Sequence, residues 1–128
     1  MPPHTRHAIH VCTTCRRAPA DPAVPPDGER MLAALAAAME GWAHRDAVAL
    51  APVQCMNACA RSCAVALAGE GKWSFLFADL DPETAAPALL ACAETYIGRA
   101  DGKMMRSARP EALRDTLLVR IPPLPSGR

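Results

Sequence analysis

A chain of 128 residues amounts to one domain, long enough to bury a core without disulfide staples. Its net charge of +1, with two Trp, two Phe and one Tyr, excludes a nucleic-acid binder that works through a basic surface and stacked bases. The longest apolar run, Met31 to Met39, is too short to cross a bilayer, and Met1 to His10 holds no apolar signal core. The expectation is therefore a soluble, cytoplasmic protein, acting on neither membrane nor nucleic acid. Six cysteines in a reducing compartment point to metal or redox chemistry in place of structural disulfides.

In chain order, His7 to Val11 reads as a short strand running straight into Cys12. Thr13 to Gly28 is a proline-rich loop. Glu29 to His44 is predicted helical, because Met31, Leu35, Met39 and Trp42 form one apolar stripe. Ala47 to Val53 is β-like, with Pro52 marking an edge or an end. After the cysteine-bearing segment 55–63, the runs Ala64–Ala68 and Trp73–Ala78 form a hairpin around Gly69-Glu70-Gly71-Lys72. Asp81-Pro82-Glu83 opens a helix reaching Ile97 and closed by Gly98, with Pro87 implying a late start or a kink. The tail is read as a short helix from Pro110 to Leu118 followed by an extended Ile121–Pro125. Its one basic cluster (Lys103, Arg106, Arg109, Arg114, Arg120) is diluted by Asp101, Glu111 and Asp115.

The order β-α-β, then hairpin, then helix makes the first two strands parallel by the crossover rule. It is the layout of an α/β, thioredoxin-like fold: a four-stranded mixed sheet with flanking helices. The expected organisation is a domain over residues 1–100 and a C-terminal extension over 101–128.

Cys12-Thr13-Thr14-Cys15 sets two sulfurs one tight turn apart, close enough to share a metal ion or to close a disulfide. Cys55, Cys59 and Cys63 recur every fourth residue, and on a helix such neighbours would stand about 5–6 Å apart on one face. Cys92 shares a helical face with Leu89 and Tyr96 and is read as core. Three chemistries fit the remaining cluster. Zinc takes four thiolates tetrahedrally. An iron–sulfur cluster takes a pair of thiolates on each of two irons. A dithiol oxidoreductase would need only Cys12 and Cys15, but Arg16-Arg17-Ala18-Pro19 opens a loop where an activating helix N-terminus would be wanted.

The run Val53-Gln54-Cys55-Met56-Asn57-Ala58-Cys59, followed by a strand, a glycine-rich hairpin, Trp73 and the helix start Asp79-Leu80-Asp81-Pro82-Glu83, resembles the thioredoxin-like 2Fe–2S ferredoxins over roughly residues 7 to 98. By that resemblance Cys12 matches the first cluster ligand, and Cys55 and Cys59 match the last two. The second ligand lies farther along the loop in those ferredoxins, and here it falls to Cys15. Where they carry Gly-Pro after the final pair, this chain has Ser62-Cys63, which makes Cys63 a candidate ligand or close neighbour of the centre. The tail, with Ala100-Asp101-Gly102, Arg109-Pro110, Leu113-Arg114 and Arg120-Ile121-Pro122-Pro123, resembles a bacterial family of unknown function described as predicted metal-binding, whose genes often accompany cobalt and cobalamin biosynthesis.

The resemblance implies a 2Fe–2S electron carrier bound through Cys12, Cys15, Cys55 and Cys59, working with a redox partner enzyme and associating as a homodimer. A zinc- or cobalt-binding module that hands metal to an acceptor protein is the alternative, and a Cys12/Cys15 dithiol oxidoreductase the third. Arg16 and Arg17 beside the first pair are candidate docking residues for a partner. His4, His7 and His10 are weaker candidates as ligands, because His7 and His10 point to opposite faces of a strand. Met31 and Met39 are read as core.

Overall fold

The structure, a computed structural model, describes residues 6–16 and 22–125, except the side chain of Cys59. Strand β1 (His7–Cys12) leads through the loop to helix α1 (Asp27–Met39), and β2 (Val48–Val53) returns parallel to β1. Strands β3 (Val65–Gly69) and β4 (Ser74–Phe77) make the expected hairpin, and helix α2 (Ala86–Ile97) follows. A last strand, β5 (Leu117–Ile121), pairs antiparallel with β4. The sheet therefore has five strands, in the order β2-β1-β3-β4-β5, where the sequence led us to expect four.

The fifth strand replaces the short helix expected over Pro110–Leu118. Two single 3-10 turns, Arg106–Ala108 and Glu111–Leu113, carry the chain past α2, and Met104 and Leu113 are fully buried there. With those two anchored, Leu-Leu-Val-Arg-Ile lies along the edge of β4, whose N–H and C=O groups would otherwise stay unpaired. β4 is thus an interior strand, and the tail completes the sheet.

Alternation along the strands sorts their side chains to two faces. Ile9, Val11, Val65, Leu67, Phe75 and Phe77 face the helices and pack on Met31, Leu35 and Met39 of α1 and on Leu89, Ala93 and Tyr96 of α2. The methionine stripe is core, as expected. The intervening residues and their partners in register, Ala8 with Ala49 and Ala68, and His10 with Ala51 and Ala66, take the other face.

Both helices are shorter than their periodicity suggests. α1 stops at Met39; Trp42 lies beyond its end, where its indole N–H donates to Glu94 of α2 at 3.1 Å. α2 begins only at Ala86, with Pro87 in its first turn, where the missing N–H costs nothing. Asp81 instead closes a separate turn, accepting the backbone N–H of Glu83 at 2.9 Å. No helix among the described residues is long and apolar enough to cross a membrane.

Candidate metal centre

β1 delivers Cys12 to the end of the sheet. Because Val11 faces the helices, Cys12 faces the other way, and its backbone N–H extends the ladder to Ala64 O at 3.1 Å. The next two residues explain the choice of threonines in the turn. Thr13 donates to the Val53 carbonyl from its N–H (2.9 Å) and from its hydroxyl (3.2 Å), and the Thr14 hydroxyl donates to the Gln54 carbonyl. The turn between the first two cysteines is thereby tied to the end of β2, one residue before Cys55.

Cys12 and Cys15 are both fully buried, and their sulfurs stand 3.0 Å apart. Around them pack Ala58 and Ala64, with Met56 and Leu76 partly buried alongside. Burial opposes ionisation of Cys12, but hydrogen bonds with the Cys15 thiol, then with the Met56 backbone and with Thr14, outweigh it and hold its pKa below the ordinary thiol range. Cys15 is pushed up to about 12 by burial and by the Cys12 sulfur it donates to, against weaker contacts with the Ala64 backbone and the Ser62 side chain. Of the two, Cys12 is thus the more readily ionised.

The second cysteine segment is a loop and a 3-10 turn (Cys59–Arg61), so the helical spacing expected for Cys55, Cys59 and Cys63 does not form. Cys55 is exposed, and its sulfur accepts the Asn57 N–H at 3.3 Å; Asn57 adopts φ 60°, a conformation asparagine tolerates. Met56 and Ala58 of this loop pack against the first pair. Cys59 opens the 3-10 turn, and its side chain lies outside the described residues. The turn is fastened by Arg61, which donates to Asp79 at 2.7 Å, while Asp79 N–H donates back to Arg61 O at 2.7 Å.

Cys63 goes elsewhere. It is fully buried within the main core beside Val65 and Leu80, and its backbone N–H and C=O both pair with Leu80. Alternation is the reason: Cys63 and Val65 share the helix side, whereas Ala64 backs the Cys12–Cys15 pair. The buried Ser62 hydroxyl lies between the two: it donates to the Cys63 sulfur at 3.7 Å and is near enough to Cys15 to work against the rise of its pKa. Sequence reasoning missed Ser62, and the only signal for it was a hydroxyl next to a cysteine. Cys92 is core, its thiol 3.8 Å from the Met104 sulfur and pushed up to about 12 by burial.

The other candidates are dispersed. Arg16 donates to the Val24 carbonyl at 2.9 Å and so braces its own loop; Arg17 and His4 lie outside the described residues. His7 meets Lys72 and Tyr96, and His10 lies on the alanine face, so neither joins the cysteines. Among the described residues no three His, Cys, Asp or Glu side chains converge on one point. The donor chemistry nonetheless suits a thiophilic metal centre: two adjacent buried thiols, a third on the loop touching them, and N–H groups aimed at the sulfurs of Cys12 and Cys55.

No curated protein matches this chain. A solved structure described as a thioredoxin-like [2Fe-2S] ferredoxin from Aquifex aeolicus superposes with a TM-score of 0.56, covering 90% of this chain and 92% of that one at 15% identity. At that identity the likeness concerns the fold, which is thioredoxin-like. The model of a family described as "Protein of unknown function (DUF1636)" matches residues 9–123, and the chain belongs to that family.

Proposed function

We propose that this protein carries a 2Fe–2S cluster on Cys12, Cys15, Cys55 and Cys59 and serves as a cytoplasmic single-electron carrier for a partner enzyme. One observation supports the reading: Ala58 and Met56, from the stretch between Cys55 and Cys59, pack against the buried Cys12–Cys15 pair, which brings the two distant cysteine segments side by side. The bound cluster would supply reversible one-electron chemistry. The chain's part is to present thiolates, to aim N–H dipoles at sulfurs that carry negative charge, and to keep water from Cys12 and Cys15 by burial; these are the levers that set a cluster's potential. Closing the set requires Cys55 and Cys59 to bring their sulfurs to the buried pair. The fold shared with a [2Fe-2S] ferredoxin agrees with this assignment.

Zinc or cobalt on the same thiolates is the alternative within metal chemistry, and a place in cobalt or cobalamin metabolism would suit either metal reading. A dithiol oxidoreductase draws support from the opposed pKa shifts of Cys12 and Cys15. Against it, Cys12 has no exposed surface from which to attack a disulfide.

Anaerobic purification with metal and sulfide analysis tests the proposal. The expected preparation is brown, holds iron and acid-labile sulfide in equal amounts, and bleaches on reduction. Colourless protein with stoichiometric zinc and no sulfide would overturn it in favour of the metal module. Metal-free protein that reduces disulfides would overturn it in favour of the dithiol.

A further inference from the structure

The basic cluster of the tail folds around a cavity. Between the 103–109 segment and β5 lies a hollow of about 490 Å³, within the size range of small-molecule sites. Lys103, Arg106, Arg109 and Arg120 line it, and Met104, Met105 and Leu117 give it an apolar wall. Arg120 reaches it because it is paired in register with Phe75 and so lies on the helix side of the sheet. This is three strands across from β1, away from the cysteines.

Like charges do not gather without a cause. Trp73 supplies part of one: the Lys103 ammonium and the Arg120 guanidinium each lie 5.2 Å from its ring centroid, held by the electron-rich ring face. Arg109 is only 7% exposed, and its guanidinium donates to the carbonyls of Leu113 (3.2 Å), Met104 (3.4 Å) and Arg114 (3.1 Å). Those contacts engage each of its three nitrogens but do not neutralise its charge. Asp115 bonds Arg106 at 2.7 Å; among the described residues neither Lys103, Arg109 nor Arg120 has a carboxylate partner. A buried guanidinium flanked by three further cations, with a single carboxylate to offset them, is costly unless an anion enters.

We propose that this cavity binds a small organic anion, its phosphate or carboxylate group held by Lys103, Arg106 and Arg120 and its apolar body laid against Met105 and Leu117. The mixed wall favours such a ligand over bare inorganic anion. The concavity favours it over an acidic protein surface.

Calorimetric titration at fixed ionic strength tests this on the purified chain. The probes are phenyl phosphate and benzoate, with phenol and inorganic phosphate as controls. Phenyl phosphate or benzoate is expected to bind saturably with a Kd near ~1 mM or tighter, ahead of both controls. Whichever of the two binds more tightly identifies the head group. The exposed-cation variants Lys103→Gln and Arg120→Gln are each expected to weaken binding about tenfold, the loss of one charge-assisted contact. Asp115→Asn is expected to strengthen it, because the competing carboxylate is gone. An absence of saturable binding by either probe would overturn the proposal, as would unchanged affinity in the Lys103→Gln/Arg120→Gln double variant. Binding of a polyglutamate peptide in place of both probes would overturn it too and assign the surface to an acidic partner.

Discussion

The carbonyl oxygen of Cys12 lies 1.9 Å from where a Cβ on Gly28 would stand. The first turn of α1 is thereby pressed onto the cysteine turn, and the contact is sealed by the Gly28 N–H donating to Cys15 O at 3.0 Å. The obstructing atom is backbone, so no side-chain rearrangement can relieve the overlap. Gly28→Ala is expected to cost about 1–3 kcal/mol, as overpacking does. It should lower Tm by on the order of 5–10 °C and reduce the metal content of the purified protein. Gly41→Ala is the control, since nothing lies within 4 Å of a Cβ there. Thermal unfolding of both variants checks the contrast, and a Gly28→Ala protein as stable as Gly41→Ala would refute it.

Thiol reactivity should follow exposure. In metal-free protein at pH 8, iodoacetamide is expected to modify Cys55 first, because it is exposed. Cys12, Cys15, Cys63 and Cys92 are fully buried and should react only after denaturation; Cys15 and Cys92, pushed up to about 12, also stay protonated. Peptide mapping by mass spectrometry reads the order directly. Metal-loaded protein should protect Cys55 as well if it is a ligand. Labelling of Cys63 as fast as Cys55 in the native protein would contradict its place in the core.

How much of this was legible in the sequence depended on whether a local pattern decided the outcome. β1 running into Cys12, the Gly69–Lys72 hairpin and the late start of α2 at Pro87 all rest on neighbouring residues, and all are found. The fold class followed from their order. β5 rests on something distant, the open edge of β4, so Leu117 and Leu118 could be read as the end of a helix and Ile121 as the start of an extended tail. The cysteine spacing 55–59–63 suggested a shared helical face, but Asn57 at positive φ and the Arg61–Asp79 tie bend the segment into a loop and a 3-10 turn. That bend leaves the Ser62 hydroxyl beside both Cys15 and Cys63 while the Cys63 side chain enters the core, an arrangement that no spacing rule reveals. Gly28 was equally silent: only the packed structure shows whose carbonyl it touches.

Lys72 closes the far end of the molecule. Its ammonium donates to the Tyr96 carbonyl at 3.0 Å and to the Ile97 carbonyl at 3.1 Å, two of the last carbonyls of α2, where the helix dipole favours a cation. Tyr96, also pinned by its hydroxyl to Trp73 O at 2.5 Å, fixes that helix end against the hairpin. Lys72→Met keeps the aliphatic stem but removes the charge and the donors. A loss of about 1–2 kcal/mol is expected, from the helix-end charge and the unmade hydrogen bonds. Urea unfolding measures it, and an unchanged midpoint would show that the ammonium is ornamental.

Burial makes His7 acid-sensitive, and the same ammonium adds to it. Lys72 Nζ lies 2.8 Å from His7 Nε2, and the imidazole packs edge-on against Tyr96 with ring centroids 5.9 Å apart. Burial first, then the Lys72 charge and more weakly that of Arg6, hold the His7 pKa below its ordinary value of 6.5, against a smaller opposing pull from the Ala47 backbone. A folded pKa below the unfolded one means that the unfolded chain binds the proton more readily. Stability from the neutral ring is therefore fully present above pH 6.5 and is lost as pH falls from there through the folded pKa. His7→Gln retains an acceptor for Lys72 without a titrating group. Urea midpoints at pH 7.5 and pH 5 should fall further on acidification for the native chain than for His7→Gln. Equal drops would place the acid sensitivity in other groups, and a smaller drop for the native chain would reverse the sign assigned to this ring.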